Sequence, residues 1–363
     1  MKILHVTNHF WPCVGGIEKL VMENSKGIKK KGFDVKVVCL NKCSSLGKKL
    51  KEKEIIEGIA VERIGFIDLK YYKIAPNILS KINDCDILHV YGLGFLSDFL
   101  LATKVFHRKK VIVTTGGGFF HTHKMMFLKK IYFNLVQRIL LKKADTIIAI
   151  SENDALVYGK LRKDIKVIEP GVNLEKFSKL GTNKEKNSFL FVGRISANKR
   201  VDLLIKRFAE ITKEIKDAKL YIVGEDWEGL MSELKKIAEE LGIEKKVLFA
   251  GKATDKELMN YYDKSEFFVS ASEYEGFGIT TVEAMAAGCI PIVSNIPTFK
   301  SIITKESGFT VNWKNTSGLN IVNLIKKRKK EKLRENAQKR SKNYSQSKKI
   351  EEYSTVIKEL LSK

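Results

Sequence analysis

The chain has 363 residues, 44% of them hydrophobic, and its 66 Lys and Arg against 42 Asp and Glu give a formal net charge of +24 at pH 7. This length allows two buried cores, this hydrophobic share excludes a disordered chain, and no apolar run approaches the ~20 residues that cross a bilayer. The positive surplus exceeds the need of one diphosphate site and favours an anionic partner: a membrane surface, a lipid-linked phosphate or nucleic acid. Met1 runs straight into a strand-like segment without a signal-peptide core or cleavage site, so a cytoplasmic location is expected. Five scattered cysteines, Cys13, Cys39, Cys43, Cys85 and Cys289, form no pair of Cys-x-x-Cys units. Reduced cysteines that pack, and no zinc, are expected.

Ile3 to Val6 reads as a first strand. Gly15-Gly16 opens a helix whose apolar positions Ile17, Leu20, Val21 and Ile28 share one face until Gly32, and Val35 to Leu40 is a second strand. This Rossmann-like unit lacks the full G-x-G-x-x-G spacing and has no acid at the end of strand two, which disfavours a nicotinamide cofactor. A lysine-rich loop follows at 41–54, then a hairpin around Glu57-Gly58. Asp84-Cys85-Asp86 imitates a metal-binding Asp-x-Asp motif, but its place just before Ile87 to Val90 reads as the start of a strand. Val111 to Thr115 is a buried strand running into Gly116-Gly117-Gly118, which leaves room for a ligand at the carboxyl end, the side where open α/β sheets bind one. Residues 127–143 alternate apolar and basic at helical spacing. Phe127, Ile131, Leu135 and Ile139 face either an anionic membrane or a core, with the lysines turned to headgroups or solvent. Ala144 to Ile150 is a strand, Ser151 caps the helix after it, and His5 and His89, inside strand patterns, are expected in the core.

A second series of strands and helices begins at Phe189. Phe189 to Val192 leads to Gly193-Arg194, and Lys199-Arg200 opens a helix with Val201, Leu204, Ile205, Phe208 and Ile211 on its buried face. A cation at a strand end or helix N-terminus is unfavourable unless it faces an anion, so Arg194 and Lys199 are candidate phosphate ligands. Leu220 to Val223 before Gly224-Glu225, and Val247 to Ala250 before Gly251-Lys252, repeat the strand-then-loop plan, and Thr254 with Glu257 forms a capping box. Ser270 to Ser294 then carries the densest chemistry. Glu275 sits in a glycine-rich loop, and Glu283 in a helix that Thr280 or Thr281 would cap. A carboxylate accepts two hydroxyls at once, while Gly276 and Gly278 let main-chain N–H groups approach a ligand at the positive helix end. The set suits a sugar carrying a phosphate. Ile296 to Phe299 and Gly308 to Val311 are expected to complete the second sheet, and a last amphipathic helix uses Ile350, Tyr353, Ile357 and Leu360.

The two glutamates, the Glu275-Gly276-Phe277-Gly278 loop and the A-M-A-A-G-C-I-P-I-V run from Ala284 to Val293 resemble the signature of glycosyltransferase family 4, the retaining nucleotide-sugar transferases. The resemblance covers nearly the whole chain and implies an α/β, GT-B architecture: two Rossmann-like domains facing across a cleft. It divides the chain into an acceptor domain at 1–171, a donor domain at 172–343 and a final helix at 344–363 that returns to the first. Its pattern places Glu275 on the donor sugar, Glu283 on the nucleotide ribose, and Arg194 and Lys199 on the diphosphate. Gly15 and Gly16 come close to the donor from the first domain, and the loop at Gly251-Lys252 frames the nucleobase. Gly193, Gly276, Phe277, Gly278 and Ile279 complete the donor contacts. No cofactor and no divalent metal are implied. The run from Thr115 to Thr122 further resembles a Thr-His-Gly-Gly-Phe-Phe-His-Thr segment of members that transfer mannose onto lipid carriers of exopolysaccharide. Its first histidine is Gly116 here, leaving His121 and His123 as nearby imidazoles, and His121 is the catalytic candidate.

The expected reaction moves a hexose, mannose from GDP-mannose in the first place, to a glycan or polyprenyl-linked acceptor at the inner face of the cell membrane. With no obvious carboxylate nucleophile, a front-face route is favoured, in which the leaving phosphate takes the acceptor proton. A UDP-hexose donor and a nucleotide-sugar 2-epimerase are the alternatives on the same architecture. A nucleic-acid-binding protein would rest on the charge alone, with no reading helix or stacking motif to support it.

Overall fold

The computed structural model describes residues 1–13, 15–43, 49–69, 72–116, 126–177, 180–181 and 183–362. The chain divides into two units, Met1–Gly171 with Gln346–Lys363, and Val172–Ser345. Besides a small antiparallel pair, Ile67–Asp68 with Lys73–Ile74, unit 1 has the strands β1 (Lys2–Thr7), β2 (Asp34–Leu40), β3 (Lys53–Ile56), β4 (Ile59–Ile64), β5 (Ile87–Tyr91), β6 (Lys110–Thr114), β7 (Thr146–Ala149) and β8 (Ile165–Val167). They form one sheet in the order β8-β7-β6-β5-β1-β2-β4-β3. All neighbours are parallel except β3 and β4, which turn at Glu57 and Gly58, both with positive φ. Unit 2 has β9 (Glu185–Val192), β10 (Lys219–Val223), β11 (Val247–Gly251), β12 (Ser265–Ser270), β13 (Ile290–Ser294) and β14 (Phe309–Val311), in the order β11-β10-β9-β12-β13-β14, all parallel.

Parallel strands covered on both faces are buried along their length, and β1, β5, β12 and β13 are buried at every position except Lys2. In each sheet the winding reverses at the central strand, between β1 and β5 in unit 1 and between β9 and β12 in unit 2. The carboxyl ends at such a reversal leave a crevice where ligands bind in doubly wound sheets. Helix α1 (Gly16–Lys30) follows β1 and buries Leu20, Val21 and Ile28, ending at Gly32 with φ +88. The helix Gln346–Leu361 packs into unit 1, with Ile350, Tyr353, Ile357 and Leu360 buried. The chain leaves unit 1 at Gly171, where a Cβ would lie 2.7 Å from Gln346 Cα, and Val172 N donates to the Tyr344 carbonyl (2.8 Å).

Three readings are corrected. Cys13 and Cys43 are joined by a disulfide, while Cys39, Cys85 and Cys289 are free and buried. Scattered spacing gave no sign of the pair because adjacency of β1 and β2 in the sheet, not along the chain, brings the two loops together. Ile296 to Phe299 is not strand: Pro297 starts a helix, Pro297–Ile302, as its fixed φ favours at a first helical position. The row Phe127, Ile131, Leu135 and Ile139 is exposed, which removes the reading as a core face. Asp84 pairs with Lys2 Nζ (2.6 Å) and Asp86 accepts from Lys2 N (2.8 Å), so both acids serve the start of the sheet. Ser151 Oγ accepts from Asp154 N (3.2 Å), and Thr254 with Glu257 closes its capping box.

The core of unit 1 holds a polar cluster. His5 Nδ1 lies 2.8 Å from Ser25 Oγ, His89 Nε2 lies 2.7 Å from Thr114 Oγ1, and Asn24 Nδ2 donates to the Tyr91 hydroxyl at 3.2 Å. Burial lowers the His5 pKa to about 3 and drives that of His89 well below its ordinary value, helped by His5. The unfolded chain therefore binds protons below about pH 6.5 that the folded one refuses, and stability falls as pH drops from there towards 3. Each ring withdraws up to about 1.4 kcal/mol per pH unit in that window. Thermal melts followed from pH 7 to pH 5 are expected to show a falling midpoint, and a flat profile would show that the two rings titrate normally.

Candidate active site

The site is assembled at the reversal between β9 and β12. β9 ends in Gly193-Arg194, and the three strand ends on that side are stitched together: Gly193 N donates to the Val223 carbonyl (3.0 Å) and Gly224 N to the Gly251 carbonyl (2.8 Å). Gly224 has φ +153, and a Cβ there would stand 1.8 Å from the Gly193 carbonyl oxygen, so only glycine fits this approach. The loop after β10 returns to the same place, with Trp227 N donating to the Ile195 carbonyl (3.1 Å). Its ring lies under the guanidinium of exposed Arg194, 4.4 Å from Cζ to the ring centroid. A cation on an aromatic face gains about 0.5–1 kcal/mol at such a site and is held in one direction.

Lys199 belongs to a short 3-10 turn, Ala197–Lys199, before helix α2 (Val201–Glu214), whose apolar face Val201, Leu204, Ile205, Phe208 and Ile211 is buried. Its ammonium meets the Glu275 carboxylate at 2.5 Å, with both side chains more than four-fifths buried. Ser272 Oγ donates to the same oxygen (2.9 Å). The loop carrying Glu275 is clamped to the turn by Glu273 N to the Asn198 carbonyl (3.0 Å) and Asn198 Nδ2 to the Tyr274 carbonyl (3.0 Å), and Thr298 Oγ1 donates to the Glu275 carbonyl (2.8 Å). Arg200, next in sequence, is used differently: it pairs with Asp202 and Glu273.

Helix α3 (Ile279–Ala286) does not start at a threonine. Gly278 is its N-cap, in the left-handed region at φ +85, and no side chain caps it; Thr281 is buried in the first turn. A glycine in that conformation turns the chain too sharply for Thr280 or Thr281 to stand outside the helix. The positive helix end is thereby left without a side-chain acceptor, as an anion site requires. Glu283, one turn on, is buried and accepts from the hydroxyl of fully buried Tyr262 (3.0 Å). Burial, reinforced by this carboxylate, pushes the Tyr262 pKa well above its ordinary value, so the hydroxyl remains a donor.

The remaining candidates divide. Phe277 is a core residue whose ring packs on Tyr344 (5.4 Å), and Ile279 is half-buried against the same core. Gly251 has φ +66, and Lys252 is exposed near Glu225 (3.6 Å). In unit 1, Gly15 is the extended N-cap of α1, and a Cβ on Gly16 would meet open space, so packing does not demand glycine there. A Cβ on Gly116 would come 2.9 Å from Ile17 Cδ1. His121 and His123, with Gly117 and Gly118, lie outside the described residues. Trp227 was missed by motif reading, although an aromatic two residues beyond Gly224-Glu225, on a loop after a strand, was its available signal. No group of three or more metal-ligating side chains occurs among the described residues.

Two doubly wound units, each on a parallel sheet with its own reversal, make the GT-B fold. Sucrose-phosphate synthase of Thermosynechococcus elongatus has the same fold, with a TM-score of 0.80 over 99% of each chain at 18% identity. The Glycosyltransferase Family 4 model matches residues 14–176 and the Glycosyl transferases group 1 model residues 172–344. The protein named GDP-mannose:cellobiosyl-diphosphopolyprenol alpha-mannosyltransferase is 34% identical in Xanthomonas campestris over 313 residues, 85% of this chain and 82% of that protein. Its namesake in Komagataeibacter xylinus is 31% identical over 86% and 80%. The chain belongs to the glycosyltransferase 4 family and is a glycosyltransferase.

Proposed function

We propose that the protein transfers mannose from GDP-mannose to a lipid-linked glycan, with retention at the anomeric carbon, at the surface of an anionic membrane. The observation that carries the site assignment is the Lys199–Glu275 pair at the sheet reversal, beside the open helix end at Gly278. The mannose and the diphosphate lipid are supported by the names of the relatives at 34% and 31% identity. The unit containing Val172–Ser345 is the donor side in this reading, and the unit beginning at Met1 the acceptor side.

Without donor, Lys199 and Glu275 neutralise each other. When the diphosphate arrives, Lys199 turns to it together with Arg194, and the freed carboxylate accepts hydroxyls of the sugar. Tyr262 holds one oxygen of Glu283 and orients it towards the ribose hydroxyls, its proposed ligands. In the reaction the bond from the anomeric carbon to the phosphate oxygen breaks, and the acceptor oxygen bonds to that carbon from the same face. Its proton passes to the departing phosphate. Charge grows on the diphosphate as this happens, so fixed cations and the N–H groups of α3 stabilise the transition state more than the ground state.

The test is a thermal-shift series with GDP, GDP-mannose, UDP and UDP-glucose, followed by transfer to a diphosphate-lipid acceptor. A ligand at 100 times its Kd stabilises by about 2.7 kcal/mol, so guanosine compounds are expected to raise the melting point and uridine compounds to leave it. A larger shift with UDP-glucose would reassign the donor. Formation of a C2 epimer from donor alone would replace the transferase reading by an epimerase.

A further inference from the structure

The surface with the least explanation in the fold is the outer face of the helical segment Met126–Lys143 in unit 1. Its inward residues Phe133, Gln137 and Leu141 are buried four apart. Asp98, on the helix Phe95–Ala102, holds them there: it accepts from Gln137 Nε2 (2.6 Å), from the Tyr72 hydroxyl (2.8 Å) and from the Tyr132 hydroxyl. Phe127, Ile131, Leu135 and Ile139 form a second row, also four apart and two residues out of step, and Phe127, Leu135 and Ile139 are 75, 62 and 65% exposed. In an α-helix a row of this spacing drifts about 40° round the axis at each step. Here Tyr132–Gln137 is a π-helical turn, which rotates less per residue and takes back part of that drift. The outer row therefore stays outward, and it cannot be rotated into the core without unpairing Asp98.

The neighbouring helix Lys104–His107 also exposes apolar side chains, Val105 and Phe106. Lys104 Nζ donates to the Lys143 carbonyl (2.8 Å), so this helix adjoins the end of the longer segment. Single exposed apolar side chains are ordinary, but a row of them marks an interaction site. Charge identifies the partner. Between Asp98 and Asp145 the sequence has ten Lys and Arg and no acid, and Lys130, Arg138, Lys142 and Lys143 are exposed beside the apolar row.

We propose that this face docks on a bilayer containing acidic phospholipids, with the apolar row in the headgroup–acyl boundary and the basic side chains against the phosphates. A second copy of the chain would set the same cations against themselves, since a twofold contact repeats the patch on both sides. Nucleic acid would neutralise the charge but leave the apolar row in water. The purpose of the docking rests on the lipid-linked acceptor proposed above; its residues do not.

The experiment is therefore done without sugar or nucleotide, so that an error in donor or acceptor leaves it intact. The full chain is sedimented with vesicles of phosphatidylcholine, alone or mixed with phosphatidylglycerol. Binding is expected on the mixed vesicles only, weakening with salt. Phe127→Ser/Leu135→Ser/Ile139→Ser is expected to lower it at least about tenfold while melting like the parent protein. If that variant misfolds, Lys130→Glu/Arg138→Glu/Lys142→Glu provides a surface substitution with the same expected loss. Equal binding to both vesicles, binding to neither, or binding untouched by a folded variant would overturn the proposal, as would a dimer that either variant dissociates.

Discussion

Glu275→Ala is expected to lower kcat/KM for mannosyl transfer by about 10²-fold or more, since each hydrogen bond between a charged group and a substrate hydroxyl contributes about 1.5–3 kcal/mol. The sign of a second measurement separates this from general damage. Glu275 is the partner of Lys199 in the donor-free protein. Its removal leaves the ammonium with no competing carboxylate, so GDP is expected to bind as tightly as before or more tightly. Lys199→Ala removes the proposed diphosphate ligand and is expected to weaken GDP and transfer together. Isothermal titration of both variants with GDP decides the matter. If Glu275→Ala weakens GDP as much as Lys199→Ala does, the exchange of partners at Lys199 is wrong, and unchanged transfer in Glu275→Ala removes that carboxylate from the site.

Gly224→Ala carries the largest expected effect on stability. Its Cβ would stand 1.8 Å from the Gly193 carbonyl oxygen at a backbone φ of +153, and neither strand end can retreat, because Gly193 N and Gly224 N bond to β10 and β11. A cost above about 3 kcal/mol is expected, the range of strain at a special backbone position. For a unit of this size that lowers the melting point by about 6–12 °C. Gly229→Ala is the control: its φ is +72, but a Cβ there meets nothing within 4 Å, so only the dihedral cost of about 1 kcal/mol applies. Equal shifts for the two variants would mean that the close approach at Gly224 contributes nothing. The surviving fraction of Gly224→Ala should also bind GDP poorly, since Arg194 and Trp227 both hang on the loops that Gly224 brings together.

The pairing of Lys199 with Glu275 shows how far local reading reaches. Each residue type was marked by its surroundings: a cation at the start of a helix, where it is unfavourable alone, and an acid in a glycine-rich loop. Their contact spans 76 positions and depends on β9 and β12 being neighbours in the sheet, a long-range fact. The helix start at Gly278 was misread for a related reason. Threonine is a good cap in general, but which residue stands outside a helix depends on backbone φ, here +85 at Gly278, where an added Cβ would come 2.9 Å from Phe299 Cε1.

What the sequence determined by itself are the elements whose signal is local. Apolar runs gave the buried strands, 3.6-residue periodicity gave α1 and α2, and side-chain oxygens at Ser151 and Thr254 gave their caps. Tertiary structure alone decided which distant side chains meet: Cys13 with Cys43, Arg194 with Trp227, Asp98 with Gln137. It also decided that Phe127, Leu135 and Ile139 turn outward. An amphipathic repeat specifies that a helix has two faces, but which face is buried depends on what the rest of the chain offers it. Here Asp98 and the core around Phe133 had already taken the other.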